Sequence, residues 1–290
     1  MLLVQVIIDG LVGGSVYALG ALGFNLIYGT TGTFHIAFGV LATLAVYVGA
    51  TIGITGWAGV GAFLVSVPTA TLLGLVVYLL IYRPMESRGR SRTIVFVASL
   101  GLAIIVENVI TLVWGALPKQ FSFPAFLNSQ TVGSYRISIF GATAIGLALL
   151  ALLALYGLFR TPIGRQLRAV AVNLELAEVV GVAARRVVLA AYLIGSLLGA
   201  VGMFGYSLQS SLRADIGTPY TLVIAIAAIA GGVGNPLGAY VLALIFGVIE
   251  GTSTVYISGQ WTLVLVYGVF IVLILARPNG VFRGLSRLSS

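Results

Sequence analysis

The sequence predicts an all-α polytopic membrane protein with about eight or nine transmembrane helices, some of them broken by glycine. Of its 290 residues, 60% are hydrophobic and only 8% are charged, and the mean hydropathy is +1.14. A soluble domain carries about 25% charged residues. Apolar runs long enough to cross a bilayer as helices recur along the chain, whereas a transmembrane barrel would show short alternating segments. We therefore expect residues 1–290 to form a single transmembrane domain.

The first part of the chain contains four predicted spans, separated by glycine-rich or charged residues. A glycine-rich break, Gly29–Phe34, follows the first span, and Gly56 with Trp57 makes a tight turn after the second. The third is followed by RPMESRGRSR, which holds four Arg and one Glu and is typical of a cytoplasmic loop. The four predicted spans are Leu2–Ile27, His35–Ile54, Ala58–Tyr82 and Thr93–Trp114.

The second part of the chain contains five further apolar segments. The polar residues 115–136 and the short segment 210–219 are predicted to lie outside the cell. The run GGVGNP, Gly231–Pro236, interrupts an apolar region and predicts a broken helix. The predicted helical segments are Ile137–Phe159, Val187–Gln209, Tyr220–Ala230, Leu237–Ile257 and Trp261–Ala276.

Arginine-rich segments predict the orientation of these spans. Lys and Arg gather on cytoplasmic loops, which places Arg83–Arg92, Arg160–Arg186 and Arg277–Arg287 on the cytoplasmic side. An even number of crossings must then separate successive basic segments, and this gives nine crossings with the N-terminus outside and the C-terminus cytoplasmic. In the alternative, Tyr220–Glu250 is a re-entrant pair of half-helices and seven segments cross fully. The expected location is the bacterial cytoplasmic, or inner, membrane.

The composition excludes several classes of chemistry. There are no cysteines and a single histidine, His35, which excludes disulfides, thiolate metal sites and multi-histidine metal sites. The sequence also lacks paired acids at a catalytic spacing, so an intramembrane enzyme is not expected and no catalytic or metal residues are predicted. The net charge of +8 is explained by cytoplasmic loops beside membrane lipids, rather than by a nucleic-acid partner.

The segment 160–186 is the most polar part of the chain and predicts two short cytoplasmic helices. Thr161 and Pro162 are typical of a helix start, and Asn173 can cap a second helix. A loop that only holds topology needs far fewer residues, so we interpret this one as a docking surface for a soluble partner, with a simple charged loop as the alternative. The candidate contact residues are Arg165, Arg168, Glu175, Ala177, Glu178 and Gly181.

Polar residues within the spans are candidates for the translocation pathway. Ionisable side chains at membrane depth are costly and usually face a cavity or a partner, so Asp9, Glu107 and Glu250 could attract the ammonium group of a zwitterion. In the alternative, they hydrogen-bond to neighbouring helices. Residues beside the glycine-rich breaks at Gly29–Phe34 and Gly231–Pro236 could guide a polar substrate. In the alternative, the glycines of these breaks only allow close helix packing. The pathway candidates are Tyr17, Asn25, Tyr28, Thr30, Glu107, Asn235 and Glu250; for His35, capping or packing is the favoured role.

Four stretches resemble one family over almost the whole chain. They are GLVGGSVYALGALGFNLIYGTTGTFHIAFG (Gly10–Gly39), TPIGRQLRAVAVNLELAEVVGV (Thr161–Val182), AIAGGVGNPLGA (Ala228–Ala239) and ARPNGVF (Ala276–Phe282). They resemble the LivH-type permeases, which are membrane subunits of ABC importers for branched-chain amino acids. Glu175-Leu176-Ala177, three residues and then Gly181 match the Glu-Ala-Ala pattern by which importer permeases dock on their ATPases, except at Leu176.

The resemblance implies the partners of the chain. They are a second, LivM-like permease in a heterodimer, two ATPase subunits, and a periplasmic or lipid-anchored substrate-binding protein. The sequence has no GxxxxGK[ST] pattern, so the chain is expected to bind no cofactor itself, and ATP-Mg is expected on the partner subunits.

The predicted function is that of an ABC importer permease for branched-chain or similar small neutral amino acids, coupled to its ATPases through segment 160–186. A permease for urea or short amides, and an ion-coupled secondary carrier, are the alternatives.

Overall fold

The computed structural model describes residues 2–121, 129–132, 135–256, 261–277 and 280–282, and the chain is helical almost throughout them. A π-helical turn, Tyr78–Tyr82, joins α3 to α4, and one turn of 3-10 helix, Ala214–Ile216, precedes α10. The helices are α1 Leu2–Thr31, α2 Ala37–Ala50, α3 Gly56–Val77, α4 Arg83–Ser87, α5 Arg92–Trp114, α6 Ile139–Arg160, α7 Pro162–Val172, α8 Leu174–Val179, α9 Ala184–Gln209, α10 Gly217–Gly231, α11 Pro236–Tyr256 and α12 Thr262–Ala276.

The predicted multi-pass helical fold is confirmed. Within the described residues, seven helical runs are long and apolar enough to cross a membrane, and α2 and α12 are shorter apolar helices. The run that ends in α10 has 18 residues and α11 has 21. Because a bilayer core of about 30 Å needs roughly 17–25 helical residues, these lengths favour two crossings over a pair of half-helices. Helix α2, with 14 residues, is shorter than the predicted span 35–54.

Helix α1 is the centre of the bundle, and glycine lets its neighbours approach closely. It packs most extensively against α11 and α9. A methyl group on Gly10 would lie 2.7 Å from the Cα of Val248, and one on Gly14 would lie 2.8 Å from the Cα of Leu244. On the α9 side, a methyl group on Gly23 would lie 2.4 Å from the carbonyl oxygen of Gly195. Small residues four positions apart, such as Gly10 and Gly14, are typical of close contacts between membrane helices.

Three features differ from the sequence-based expectation, and two of them are helix ends. Helix α1 continues through Gly29 to Thr31, because Gly29 serves a close contact with Gly234, and the chain turns at Gly32, where φ is +67°. The third span does not end at Tyr82 but continues through the π-helical turn into α4. Pro84 has no N–H group to donate, and the N–H of Arg83 reaches the carbonyl of Tyr78 in a π-type bond.

The third difference is a β-hairpin in the predicted outer segment 115–136. Strand β1, Ser129–Val132, pairs antiparallel with β2, Tyr135–Ser138, with Ser129 opposite Ser138. The hydroxyl of Ser138 then accepts a hydrogen bond from the N–H of Gly141 and caps α6. Hydropathy identifies spans and gave no sign of this short hairpin.

The basic segments gather at one end of α1. Helix α9 runs antiparallel to α1, since Gly195 lies against Gly23 and Gly202 against Gly20, so the preceding helices α7 and α8 lie at the C-terminal end of α1. At the same end, the guanidinium of Arg92 lies over Gly32, and the segment after α12 meets the break that follows α10. This shared position supports the assignment of all three segments to one side of the membrane.

Replacing Gly14 with alanine should destabilise the protein by roughly 1–3 kcal/mol, because the added methyl group would overlap the backbone of α11. Thermal unfolding of the detergent-solubilised protein measures the effect. The control is Gly157→Ala in α6, where an added methyl group would meet nothing within 4 Å. A melting temperature unchanged in Gly14→Ala would contradict the close packing of α1 on α11.

Candidate functional site: a two-helix surface and a polar cluster in the bundle

Helices α7 and α8 begin and end as their sequence predicts. The hydroxyl of Thr161 accepts from the N–H of Gly164 at 3.4 Å, and the side chain of Asn173 accepts from the N–H of Leu176 at 3.0 Å. Gly181 has φ +87°, and the N–H of Val182 bonds to the carbonyl of Ala177 at 2.9 Å, which closes α8 with a Schellman-type turn. The segment is therefore an ordered two-helix unit.

The outer face of this unit combines charge with exposed apolar side chains. Arg165 and Arg168 are exposed on α7, and Glu175 and Glu178 are exposed on α8. Ala177 is buried, so its side chain does not reach the outer face. Sequence reasoning missed the apolar residues of this face, although several large apolar residues in so polar a segment were a usable signal. They are Val172, Leu176, Val179 and Val180, whose side chains are 87%, 64%, 83% and 77% exposed.

The inner face of α7 joins this surface to the membrane helices. Gly164, Leu167 and Val170 are buried, and α7 contacts α1, α6 and α9. Gly164 permits the sharp turn from α6, since a methyl group there would lie 2.4 Å from the carbonyl oxygen of Leu158. A force on the outer face would thus reach α1 through one layer of packed side chains.

Asn25 and Asn235 hold the broken segment between α10 and α11. The amide of Asn25, buried in α1, donates to the carbonyls of Ala228 at 3.1 Å and Gly232 at 3.0 Å. The side-chain oxygen of Asn235 accepts from the N–H of Gly238 at 3.2 Å, and its amide donates to the carbonyl of Phe282 at 2.9 Å. The side chains of Asn25 and Asn235 thus fix the backbone of the break to α1 and to the segment after α12.

The segment after α12 completes this arrangement. The N–H of Val281 donates to the carbonyl of Ala230 at 2.8 Å, and a methyl group on Gly280 would lie 2.7 Å from the Cα of Gly232. Two of the stretches that carry the family resemblance are therefore in contact: the described residues of 276–282 lie against 228–239.

Tyr28 and Thr30 lie in the last turns of α1 rather than in an open break. The ring of Tyr28 is half-buried and contacts Phe24 and Phe34, and the hydroxyl of Thr30 is buried and donates to the carbonyl of Leu26. These contacts are those of helix packing and local hydrogen bonding.

Tyr17 and Glu250, 233 positions apart in sequence, meet inside the bundle. The side chain of Tyr17 lies close enough to those of Glu250 and Tyr206 to interact with both. The ring centroid of Tyr17 lies 5.7 Å from that of Tyr206 and 5.9 Å from that of Tyr220, and the last two are 5.2 Å apart. We call Tyr17, Tyr206, Tyr220 and Glu250 the tyrosine–glutamate cluster. Sequence reasoning missed Tyr206 and Tyr220, which no local pattern distinguishes from other aromatic residues.

Glu107 lies apart from that cluster, at the opposite end of the bundle from α7 and α8. Its carboxylate accepts a hydrogen bond from Thr218 at the start of α10. Nearby, Lys119 and Leu212 exchange two backbone hydrogen bonds of 3.0 and 2.7 Å, and Arg213 pairs with Asp215. Glu107 therefore belongs to a group of contacts that joins the segment after α5 to the segment after α9.

His35 is buried, as a packing role predicts, but it also has a polar partner. Its Nδ1 lies 2.8 Å from the hydroxyl of Tyr82, which the π-helical turn carries. Tyr192 lies beside this pair, and its buried hydroxyl has no hydrogen-bond partner within the described residues. Those residues also contain no group of three His, Cys, Asp or Glu side chains that could hold a metal ion.

Asn25→Ala should destabilise the protein by roughly 1–3 kcal/mol, since the two buried hydrogen bonds that tie α1 to the break would be lost. The matched control is Asn108→Ala in α5, where the exposed amide donates only to the carbonyl of Ile104 in its own helix. Thermal unfolding of both variants distinguishes them, and equal melting temperatures would show that Asn25 does not hold the break.

Comparison with known proteins finds relatives that match almost the whole chain. A family model described as the permease component of the branched-chain amino acid transport system matches residues 6–275. High-affinity branched-chain amino acid transport permeases LivH from Salmonella typhimurium and LivH from Escherichia coli K12 are 30% and 29% identical to the chain. Each match covers 96% of this chain and 94% of the relative. BraD from Pseudomonas aeruginosa is 28% identical at the same coverage. Likeness to the solved structure of PsaBC from Streptococcus pneumoniae is limited, with a TM-score of 0.44 and 18% identity over 98% of this chain and 93% of that one.

Proposed function

Because the chain belongs to the family of branched-chain amino acid transport permeases, we propose that it is the membrane-spanning subunit of an ATP-driven importer. The cargo is a branched-chain or similar small neutral amino acid, as the names of the relatives indicate. The observation that carries the proposal is the ordered surface of α7 and α8, which is exposed on its outer face and packed on α1 by its inner face.

The exposed side of α8 is suited to a protein partner. Leu176, Val179 and Val180 present an apolar patch outside the membrane spans, and Glu175 and Glu178 flank it. Contiguous exposed apolar surface rimmed by polar residues is typical of an interaction site. Covering each large side chain gains roughly 1.5–3 kcal/mol, so the patch would contribute substantially to docking.

The partner subunits of the proposed importer supply ATP hydrolysis and delivery of the amino acid. Two ATPase subunits dock on α7 and α8 and on the corresponding helices of a second, LivM-like permease, and they hold ATP-Mg. A periplasmic or lipid-anchored binding protein delivers the amino acid to the opposite face. The grouping of basic segments at one end of α1, together with the preference of Arg for cytoplasmic loops, supports an orientation with the N-terminus outside and the C-terminus inside the cytoplasmic membrane.

Replacing both Leu176 and Val179 with aspartate should release the ATPase while leaving the permease folded, because both side chains are exposed and support no internal packing. Loss of two buried apolar contacts weakens docking by about a hundredfold or more. Co-purification of the ATPase with the tagged permease measures the effect.

The control is Arg90→Ala, an exposed residue of the basic segment between α4 and α5. It should keep the wild-type ATPase ratio. Wild-type ATPase content and transport in the Leu176/Val179 variant would refute the docking role of this surface.

Two experiments test the cargo and the energy source. Leucine, and not urea, should raise the melting temperature of the cognate binding protein; a shift with urea alone would overturn the choice of substrate.

Purified permease in liposomes should take up no amino acid under an ion gradient unless the ATPases and ATP are present. Uptake driven by the gradient alone would identify a secondary carrier.

A further inference from the structure

Glu250 lies on the inward face of α11. Ala239, Ala243 and Phe246 are fully buried at spacings of four and three residues, and Glu250 follows four residues later on the same face. The carboxylate is half-buried, and the ion pair of Arg213 with Asp215 is the one salt bridge among the described residues. A carboxylate at membrane depth is costly unless a cavity, a partner or a ligand compensates it.

The rings around Glu250 make its surroundings selective for a cation. Tyr17 from α1, Tyr206 from α9 and Tyr220 from α10 lie within 6 Å of one another, measured between ring centroids. Tyr17 and Tyr220 are buried, whereas Tyr206 and Glu250 are half-buried and form the accessible side of the cluster. Aromatic faces attract ammonium groups through their quadrupoles, and a carboxylate adds charge and hydrogen bonding.

The other two acids in the spans lack this environment. Asp9 is exposed near the start of α1 and accepts a hydrogen bond from Gln5 one turn away. Glu107 is already held by a hydrogen bond from Thr218 at the start of α10. Of the three acids that the sequence offers for recognition of an ammonium group, Glu250 is the one that lies beside Tyr17 and Tyr206.

We propose that Glu250, Tyr17 and Tyr206 bind the α-ammonium group of the transported amino acid during its passage. This assignment rests on the proposed function, and it also gives a physical reason for the choice of substrate. An amino acid neutralises the carboxylate inside the bundle, whereas urea and short amides carry no positive charge with which to do so.

The complete transporter, with its permease partner, ATPases and binding protein, provides the test in liposomes. With the binding protein saturated with leucine, Glu250→Gln should lower the maximal uptake rate about tenfold or more, because the charge is lost while the shape is kept. Glu250→Asp should restore part of the rate, and Tyr17→Phe should lower it by a smaller factor, since the ring remains. Subunit assembly should stay at the wild-type level in all three, which shows that each variant folds.

Thr252→Val is the matched control on the same helix. Its hydroxyl donates only to the carbonyls of Val248 and Ile249, in the preceding turn, so uptake should be unchanged. Wild-type uptake by Glu250→Gln would overturn the ammonium site and leave the proposed importer intact. A wild-type complex that assembles and hydrolyses ATP without amino-acid uptake would instead refute the proposed function.

A second measurement needs no variant. Saturation-transfer NMR on the wild-type permease pair in nanodiscs compares two leucine analogues at equal concentration. Leucinol retains the ammonium group and lacks the carboxylate, whereas 2-hydroxy-4-methylpentanoate retains the carboxylate and lacks the ammonium group. Leucinol should displace leucine and the hydroxy acid should not; equal displacement, or displacement by the hydroxy acid alone, would overturn the assignment.

Discussion

Backbone hydrogen bonding at the break between α10 and α11 is the constraint on which much of the bundle depends. A buried peptide group has no water to bond with, so the backbone of the break needs partners within the protein. Asn25 of α1 donates to the carbonyls of Ala228 and Gly232. Asn235 accepts from the N–H of Gly238, and the N–H of Val281 donates to the carbonyl of Ala230. Parts of the chain far apart in sequence are thereby fixed to one point.

The same central helix joins the other features of the molecule. Helix α1 packs through glycine on α9 and α11, carries Asn25 to the break and Tyr17 to the tyrosine–glutamate cluster, and contacts α7 near its end. Close backbone contact leaves little room for one helix to move alone. A displacement of α7 by a docked partner would therefore be shared by the helices that surround the polar cluster.

Most of the fold was predictable from the sequence because it follows from local physics. Hydropathy identified each apolar helix, and Thr161 and Asn173 predicted the starts of α7 and α8 from capping chemistry alone. The position of Gly29 shows the limit of such reasoning, since glycine permits both a turn and a close contact, and only the neighbour, Gly234, determines which applies. The convergence of Tyr17 with Glu250 lay beyond prediction, because it depends on how four helices pack. The buried side of Ala177 and the exposed side of Val179 could have been assigned only once the direction of α8 was known.

The π-helical turn at Tyr78–Tyr82 has a consequence for comparing related chains. A π turn holds about one residue more than an α turn, so α4 is rotated by about 100° relative to a continuous α-helix. A relative with an ordinary helix here would present the same surface with one residue fewer. An alignment that runs without a gap through these five residues would then pair inward-facing positions of one chain with lipid-facing positions of the other. A single gap would restore the correct pairing, so that Tyr82, the partner of His35, is aligned with the inward-facing residue of the relative.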